Sequence, residues 1–179
     1  MVEHVILVDS DNKQLGTMEK MEAHRKGLLH RAFSIFIFNL RDEMLLHQRA
    51  DGKYHCGGMW TNAVCSHPRP NEDQSLALNR KMLQEMGFFT DVKKAFDFTY
   101  RAQLDNGLVE YEYDEVFYGV YEGDLSPNPE EVKAYRYSSV LEIREEIRQN
   151  PELFTPWFKF LFERISEYYS SLKDVSNNS

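Results

Sequence analysis

The chain has 179 residues, 42% hydrophobic and 13% aromatic, which is enough to bury one core and too apolar for disorder along its bulk. Its formal net charge of −8, from 29 acidic and 21 basic residues, argues against a nucleic-acid partner, because phosphate backbones are bound by a basic face. No apolar run reaches the roughly 18–20 residues that span a bilayer, and the amino terminus MVEHVILVDSDNK lacks a basic segment before a cleavable apolar stretch, so the expectation is a cytoplasmic protein with no membrane partner.

Residues 3–9 (EHVILVD) read as a first strand, closed by the turn-like Asp9-Ser10-Asp11-Asn12. Residues 31–38 (RAFSIFIF) are rich in aromatic and β-branched residues, and 44–49 (MLLHQR) return after a turn over 39–43, which predicts a hairpin. The stretch 50–72 mixes Gly52, Gly57, Gly58, Pro68 and Pro70 with His55, Cys56, Cys65 and His67. Such punctuation excludes a long helix and marks irregular loops, where functional groups tend to sit. A helix is predicted over 73–86, with Asn71 as its N-cap, Leu76, Leu83 and Met86 on one face, and Gly87 as the stop.

Strands at 96–103 and 108–120 flank Asp105-Asn106-Gly107, the clearest hairpin signal in the chain. Residues 132–137 read as a last strand and 139–148 as a short helix. Thr155 and Pro156 open a C-terminal helix with Phe158, Leu161 and Ile165 inward. The polar stretch 173–179 is expected to fray, leaving a single domain over 1–172. Strands and helices mix without regular βα alternation, so the fold class is α+β.

Several polar residues stand out. His24 and His30 lie in AHRKGLLHRAF, and His67 follows Cys65 closely. Glu110 and Glu112 are two apart in a strand and so project from one face, where two like charges need a cation or a shared proton. Three imidazoles and two carboxylates suit a divalent metal such as zinc or manganese. The same spacing also fits a solvated strand face with Val109, Tyr111 and Tyr113 covering the core. Cys65 and Cys56 make no disulfide framework, which suits a reducing compartment. A thiolate is the reactive form of cysteine, and metal or positive neighbours lower its pKa. One thiol and one carboxylate suit a reaction that adds a proton at one carbon and removes one at another.

The string Trp60-Thr61-Asn62-Ala63-Val64-Cys65-Ser66-His67-Pro68 resembles the cysteine motif of type I isopentenyl-diphosphate isomerases, and Val109-Glu110-Tyr111-Glu112 resembles their paired-glutamate motif. Tyr100-Arg101-Ala102 and Thr155-Pro156-Trp157 fall in the same family's order, and the likeness runs from about His4 to about Trp157. The resemblance implies a Nudix-like mixed β-sheet core flanked by helices. A degenerate Nudix box is legible in Ser66, Glu72, Arg80, Lys81, Met82, Leu83, Gln84, Glu85, Met86, Gly87 and Phe88. Lys81 and Gln84 replace acids that Nudix hydrolases use to hold metals, so hydrolysis is disfavoured while a metal–diphosphate could still bind.

By the same resemblance, His24, His30, His67, Glu110 and Glu112 would bind one divalent ion, Mn²⁺ or Zn²⁺. Glu85 would help hold Mg²⁺ against the substrate diphosphate, which Lys20, Arg49, Lys53 and Lys81 would contact. Glu112, assisted by Tyr100, would protonate the alkene, Cys65 would remove a proton from the opposite face, and Trp157 would lie beside the developing cation. The implied partner is an allylic or homoallylic diphosphate, and the implied state a monomer or weak dimer. His24 and His30 are one residue closer than in some relatives, which questions the loop between them. A nucleotide-type Nudix hydrolase or a non-catalytic Nudix-like binding domain are the competing readings. The first predicts an intact acidic helix, and the second has no need for five metal-ligand types.

Overall fold

The computed structural model describes residues 2–104 and 106–177. Nine strands form one mixed sheet among these residues: β1 (His4–Val8), β2 (Gln14–Glu19), β3 (His30–Phe38), β4 (Met44–Arg49), β5 (Trp60–Asn62), β6 (Val64–Ser66), β7 (Val92–Gln103), β8 (Val109–Val120) and β9 (Val132–Ser138). Four α-helices accompany them: α1 (Lys20–Lys26), α2 (Gln74–Lys81), α3 (Val140–Gln149) and α4 (Pro156–Asn177). A π-turn, Met82–Met86, continues α2. The α+β expectation holds.

The sheet is organised around β3. Its whole length pairs in parallel with β8, from His30↔Glu112 to Phe38↔Val120. Its other edge is shared by β1 at His30, β6 at Phe33–Ile35 and β4 at Phe38. Residues 32–38 are all buried, because both faces of β3 are covered. Phe36 and Phe38 face α4 and pack with Phe158, Leu161, Phe162 and Ile165, whereas Phe33, Ile35 and Ile37 face α2 and pack with Ala77, Leu78, Met82 and Met86. This two-sided burial explains the near-continuous apolar run of β3.

The predicted β3–β4 hairpin is only partly realised. The two strands meet through the single pair Phe38↔Met44, after which β4 pairs with β5 and with β9. One edge of β3 is taken along its length by β8, and on the other β6 at Phe33–Ile35 and β1 at His30 leave β4 only the end at Phe38. The β7–β8 hairpin forms as predicted, in register from Val92↔Gly119 to Gln103↔Val109, with its turn residue Asp105 outside the described residues.

The helix over 73–86 also differs in detail. Its N-cap is Asp73, whose carboxylate accepts from Ser75 N–H at 2.9 Å, while Asn71 takes a turn conformation with φ of 63°. The inward stripe is Ala77, Leu78, Met82 and Met86; Leu76 and Leu83 are exposed. The π-turn adds a residue to one turn, which keeps Met86 in line with Met82 and rotates Leu83 outward. Gly87 ends the helix in the left-handed region, as expected. β2 and α1 were not anticipated, because β2 is exposed and non-alternating and α1 has only seven residues. α4 continues to Asn177, so the stretch expected to fray from 173 is helical that far, with Lys173 paired to Asp42.

At Gly87, φ is +69° and a Cβ would lie 2.1 Å from the Ser126 carbonyl oxygen. Gly87→Ala should therefore cost more than the roughly 1–2 kcal/mol of the left-handed conformation alone, read from denaturant midpoints. A loss under that range would mean the 87–126 contact relaxes freely. His47 on β4 is a second handle. It is buried, its Nδ1–H donates to the Ala63 carbonyl at 3.1 Å, and burial followed by the charge of Arg49 pulls its pKa from 6.5 to about 3. The unfolded chain thus binds the proton that the folded chain refuses, so acidification from 6.5 towards 3 removes stability. Over that window wild type should lose stability faster than His47→Gln by about 1.4 kcal/mol per pH unit. Parallel profiles would show that His47 takes up its proton over the same pH range in the folded and the unfolded chain.

Candidate active site

Strand registry brings the site residues together. Tyr100 on β7 lies opposite Glu112 on β8, which lies opposite His30 on β3, so three side chains form one row on the face covered by α4. The Tyr100 hydroxyl donates to Glu112 Oε2 at 2.6 Å, and His67 Nε2 lies 2.8 Å from Glu112 Oε1, with His30 Nε2 at 3.5 Å. Glu110 and Asp114 flank Glu112 on the same buried face. The alternative of a solvated strand face is thereby overturned: Glu110 and Glu112 are buried, and Tyr111 and Tyr113 are the half-exposed residues.

α1 delivers His24. Glu19 caps the helix by accepting from the N–H groups of Met21 and Glu22, and Gly27 closes it in the left-handed region, one short step before β3. The tight spacing of His24 and His30 is accommodated: their rings sit 4.9 Å apart. His24 Nδ1 donates to the Val109 carbonyl at 3.2 Å and His30 Nδ1 to the Leu28 carbonyl at 2.8 Å. Both bonds leave the Nε2 lone pair pointing inward, the orientation that metal-bound histidines are given by such partners. His24 Nε2, His30 Nε2 and Glu110 Oε2 are buried without a hydrogen-bond partner. Buried polar atoms are rarely left so, and three converging ones make a site suited to a divalent cation.

The cysteine motif and the Trp157 motif interlock. Asn62 donates its amide to the carbonyls of Ile35 and Val64, and its Oδ1 accepts from Cys65 Sγ at 2.9 Å. The Trp157 indole N–H reaches Thr61 Oγ1 at 2.9 Å and Cys65 Sγ at 3.1 Å, and the Thr155 hydroxyl also bonds Thr61 Oγ1. Thr61 thus ties the start of α4 to β5. A cavity of about 50 Å³ lies between Cys65 on one side and Tyr100, Glu110 and Glu112 on another, with Trp157 in its lining. That is room for one or two waters.

Charge states follow from burial. Burial and the charge of Asp114 push the Cys65 thiol up to about 12, so the lowered thiol expected from positive neighbours is not what this environment produces. Burial and then Glu112 raise Glu110 well above the carboxylate range. Burial would raise Glu112 too, but the adjacent His30 ring and the hydrogen bond with His67 hold it well below. Burial brings His24 down to about 3. Burial lowers His67 as well, so the His24 and His67 imidazoles are available as neutral donors.

The cationic residues rim the cavity, each already engaged. Lys20 pairs with Glu3 at 2.7 Å, Lys53 with Glu131 at 2.5 Å, and Lys81 with Glu85 at 2.6 Å. Burial would raise Glu3, but the hydrogen bond and charge of Lys20 bring it to about 2. Arg49 lies over the Trp157 ring, 5.3 Å from its centroid, and its Nε has no hydrogen-bond partner. An entering anion would find cations whose partners it can replace.

All the residues singled out from sequence, namely Cys65, Tyr100, Glu112, Trp157, His24, His30, His67, Glu110, Glu85, Lys20, Arg49, Lys53 and Lys81, lie in or beside this one pocket. Three buried polar residues were missed. Asp114, bonded by the Ser34 hydroxyl at 2.7 Å, continues the two-residue period of Glu110 and Glu112, which was the signal for it. Ser34 had no signal inside an apolar strand. His55 was hidden in a loop whose path the sequence does not disclose.

The fold is that of a Nudix protein: a NUDIX domain model matches residues 28–158. The chain is similar in fold to a solved protein of Deinococcus radiodurans, with a TM-score of 0.76 at 14% identity over 90% of this chain and 98% of that one. The MutT protein of Methanosarcina mazei gives 0.64 at 18% identity over 78% and 94%. It is 47% identical to the isopentenyl-diphosphate Delta-isomerase of Pectobacterium atrosepticum over 94% of both chains, and 43% identical to that of Burkholderia multivorans over 92% and 93%. The chain belongs to the isopentenyl-diphosphate Delta-isomerase family.

Buried donors without partners make the fold sensitive to divalent ions. Chelation should lower the thermal midpoint and added Mn²⁺ or Zn²⁺ restore it, and restoration should fail in His30→Asn. A midpoint indifferent to chelator and ion alike would argue against a cation at these donors.

Proposed function

We infer that the chain interconverts isopentenyl diphosphate and dimethylallyl diphosphate by adding a proton at one carbon of the substrate and removing one at another. The observation that carries this reading is the single small cavity lined by a thiol, Cys65, and by the hydrogen-bonded pair Tyr100–Glu112. Acid–base chemistry at two carbons needs two such groups facing one substrate. The anionic end of the substrate would lie at Lys20, Arg49, Lys53 and Lys81, exchanging their carboxylate partners for phosphate oxygens. Lys81 offers a point charge there, without the fork that an arginine would give.

Roles follow in the direction towards dimethylallyl diphosphate. Glu112, protonated and hydrogen-bonded to Tyr100, gives its proton to the terminal alkene carbon, and a tertiary cation-like centre develops at C3. Cys65, as thiolate, takes a proton from C2, and the C–H electron pair closes the new double bond. The reaction leaves sulfur protonated and Glu112 ionised, and the reverse reaction starts from that state. It is also the resting state of the two groups, the thiol held protonated by burial and Glu112 held ionised, against burial, by the neighbouring His30 and His67. Trp157 presents its face to the cation, where an aromatic quadrupole is stabilising; the same face already lies beside the Arg49 guanidinium.

Divalent ions, Mn²⁺ or Zn²⁺ at the His24, His30, His67, Glu110 and Glu112 donors and Mg²⁺ at Glu85 with the diphosphate, would supply charge that offsets the buried carboxylates and the phosphate. The residues fit that use, since the donors are buried and several lack partners. The same reading takes the enzyme as one domain over 1–172, cytoplasmic, a monomer or weak dimer, acting on a small molecule. Among the described residues no helix is long and apolar enough to cross a membrane.

Proton NMR of isopentenyl diphosphate in D₂O with Mg²⁺ tests the reading. Deuterium should appear in dimethylallyl diphosphate with wild type, and Cys65→Ala should lose about 10²–10⁴-fold in kcat. Turnover surviving in the variant would remove Cys65 from the chemistry. Release of phosphate without an allylic product would replace the isomerase by a hydrolase.

A further inference from the structure

His55 lies in the loop between β4 and β5, outside the five ligand positions above. The loop is held from several sides. The Arg49 guanidinium donates to the His55 carbonyl at 3.2 Å, the Asn106 amide donates to the Tyr54 carbonyl at 2.8 Å, and Gly58 N–H donates to the Arg49 carbonyl. The His55 ring is wedged between Tyr54, with centroids 4.2 Å apart, and Trp157, at 5.6 Å. It is buried, and neither ring nitrogen has a hydrogen-bond partner. An imidazole fixed this firmly with both nitrogens unsatisfied is costly unless something else engages it.

Its Nε2 lies 2.5 Å from Glu110 Oε1, yet makes no hydrogen bond to it. Two buried donor atoms this close without a hydrogen bond between them are a pair that a shared cation would relieve. Donors around an ion with bonds of about 2.1 Å lie roughly 3 Å apart when adjacent and about 4.2 Å apart when opposite. One donor atom each of His24, His55 and Glu110 lie within 4.8 Å of one another, and so do those of His30, Glu110 and Glu112. His55 is thus grouped directly with His24 and Glu110, and Glu110 links that group to His30 and Glu112.

We propose that His55 is a direct ligand, through Nε2, of the divalent ion held by His24, His30, His67, Glu110 and Glu112. This rests on the reading that the cluster binds such an ion. A fourth imidazole makes the donor set nitrogen-rich, which favours Zn²⁺ and its first-row neighbours over Mg²⁺. Two different ions in one pocket would then be sorted by ligand type, with Mg²⁺ left to oxygen donors at Glu85 and the diphosphate. The loop that carries His55 also carries Lys53, so ion binding would fix a diphosphate contact through three residues of chain.

The test uses the full chain stripped of metal, with Zn²⁺ affinity measured against a chromophoric chelator and visible absorption read after loading with Co²⁺. His55→Phe keeps the packing between Tyr54 and Trp157 and removes the donor; His55→Gln is the second variant should the first not fold. Zn²⁺ affinity should fall at least about tenfold, and the Co²⁺ bands should move to longer wavelength or intensify, as an imidazole is replaced by a weaker oxygen donor or by none. Unchanged affinity and bands would overturn the proposal. Weaker binding with unchanged bands would also overturn it, since His55 would then act only by positioning Glu110. His24→Gln separates the two readings: if it too leaves Zn²⁺ binding intact, the ion site itself is wrong, and if it abolishes binding while His55→Phe does not, only the role of His55 is.

Discussion

Three carboxylates, Glu110, Glu112 and Asp114, are buried along one face of β8, and much of the molecule around them is arranged to make that tolerable. An ion taken from water into a protein interior costs several kcal/mol unless it is paired. The partners come from every side: Tyr100 from β7, His30 and Ser34 from β3, His67 from the segment after β6, His24 from α1 and His55 from the β4–β5 loop. The parallel pairing of β3 with β8 sets the first of these contacts, because it places His30 directly beside Glu112. A one-residue slip of β8 there would turn its three carboxylates to the α2 face, away from these partners.

The overall charge of −8 raises the question of how such a chain handles an anionic substrate. The answer lies in local pairs. Lys20, Lys53 and Lys81 are each held at the pocket rim by a carboxylate, and none of the six residues is strongly buried away from the mouth except Glu85. Such pairs are individually weak in a solvated setting, so a diphosphate with several charged oxygens can replace them. Glu85 sits on the π-turn that continues α2, and Glu72 and Arg80 of the same helix region are consumed in a two-bond fork. The helix that serves metal-assisted hydrolysis in Nudix hydrolases is here largely committed to structure, and the chemistry in the proposed reaction sits on β8 and β6.

The sequence was most legible where short-range periodicity and turn chemistry decide the outcome. The β7–β8 hairpin, the Gly87 stop and the inward face of α4 follow from local pattern alone. Glu110 and Glu112 were readable as a pair, but whether they faced solvent or core was not, because Tyr111 and Tyr113 are as plausible a core face as any; only the long-range pairing with β3 decides it. The β3–β4 hairpin forms only at Phe38, because the edge of β3 that β4 would use is held by β6, whose three-residue run within the Gly- and Pro-rich loop carries no strand signal. The periodicity puts the inward face of α2 on Leu76 and Leu83, whereas the helix and its π-turn bury Ala77, Leu78, Met82 and Met86, because β3 packs against that stripe. His55 was missed since its placement depends on a loop held by Arg49 and Asn106, two contacts invisible to spacing.

The polarity of the pocket explains why the same fold can carry proton transfer to carbon. An alkene is a weak base, and the cation formed from it is captured by any water within reach, so the acid must work in a dry place. The enclosed space is about 50 Å³, walled by Trp157, Tyr100 and the Cys65 strand, while the lysines stay at the rim. In the proposed reaction hydrocarbon and diphosphate would be sorted to opposite ends, with Cys65, Tyr100 and Glu112 at the end away from the lysines. The burial that lifts the Cys65 thiol to about 12 is the same burial that excludes water. A sulfur that easy to protonate is a strong base once ionised, which is what removing a proton from carbon requires.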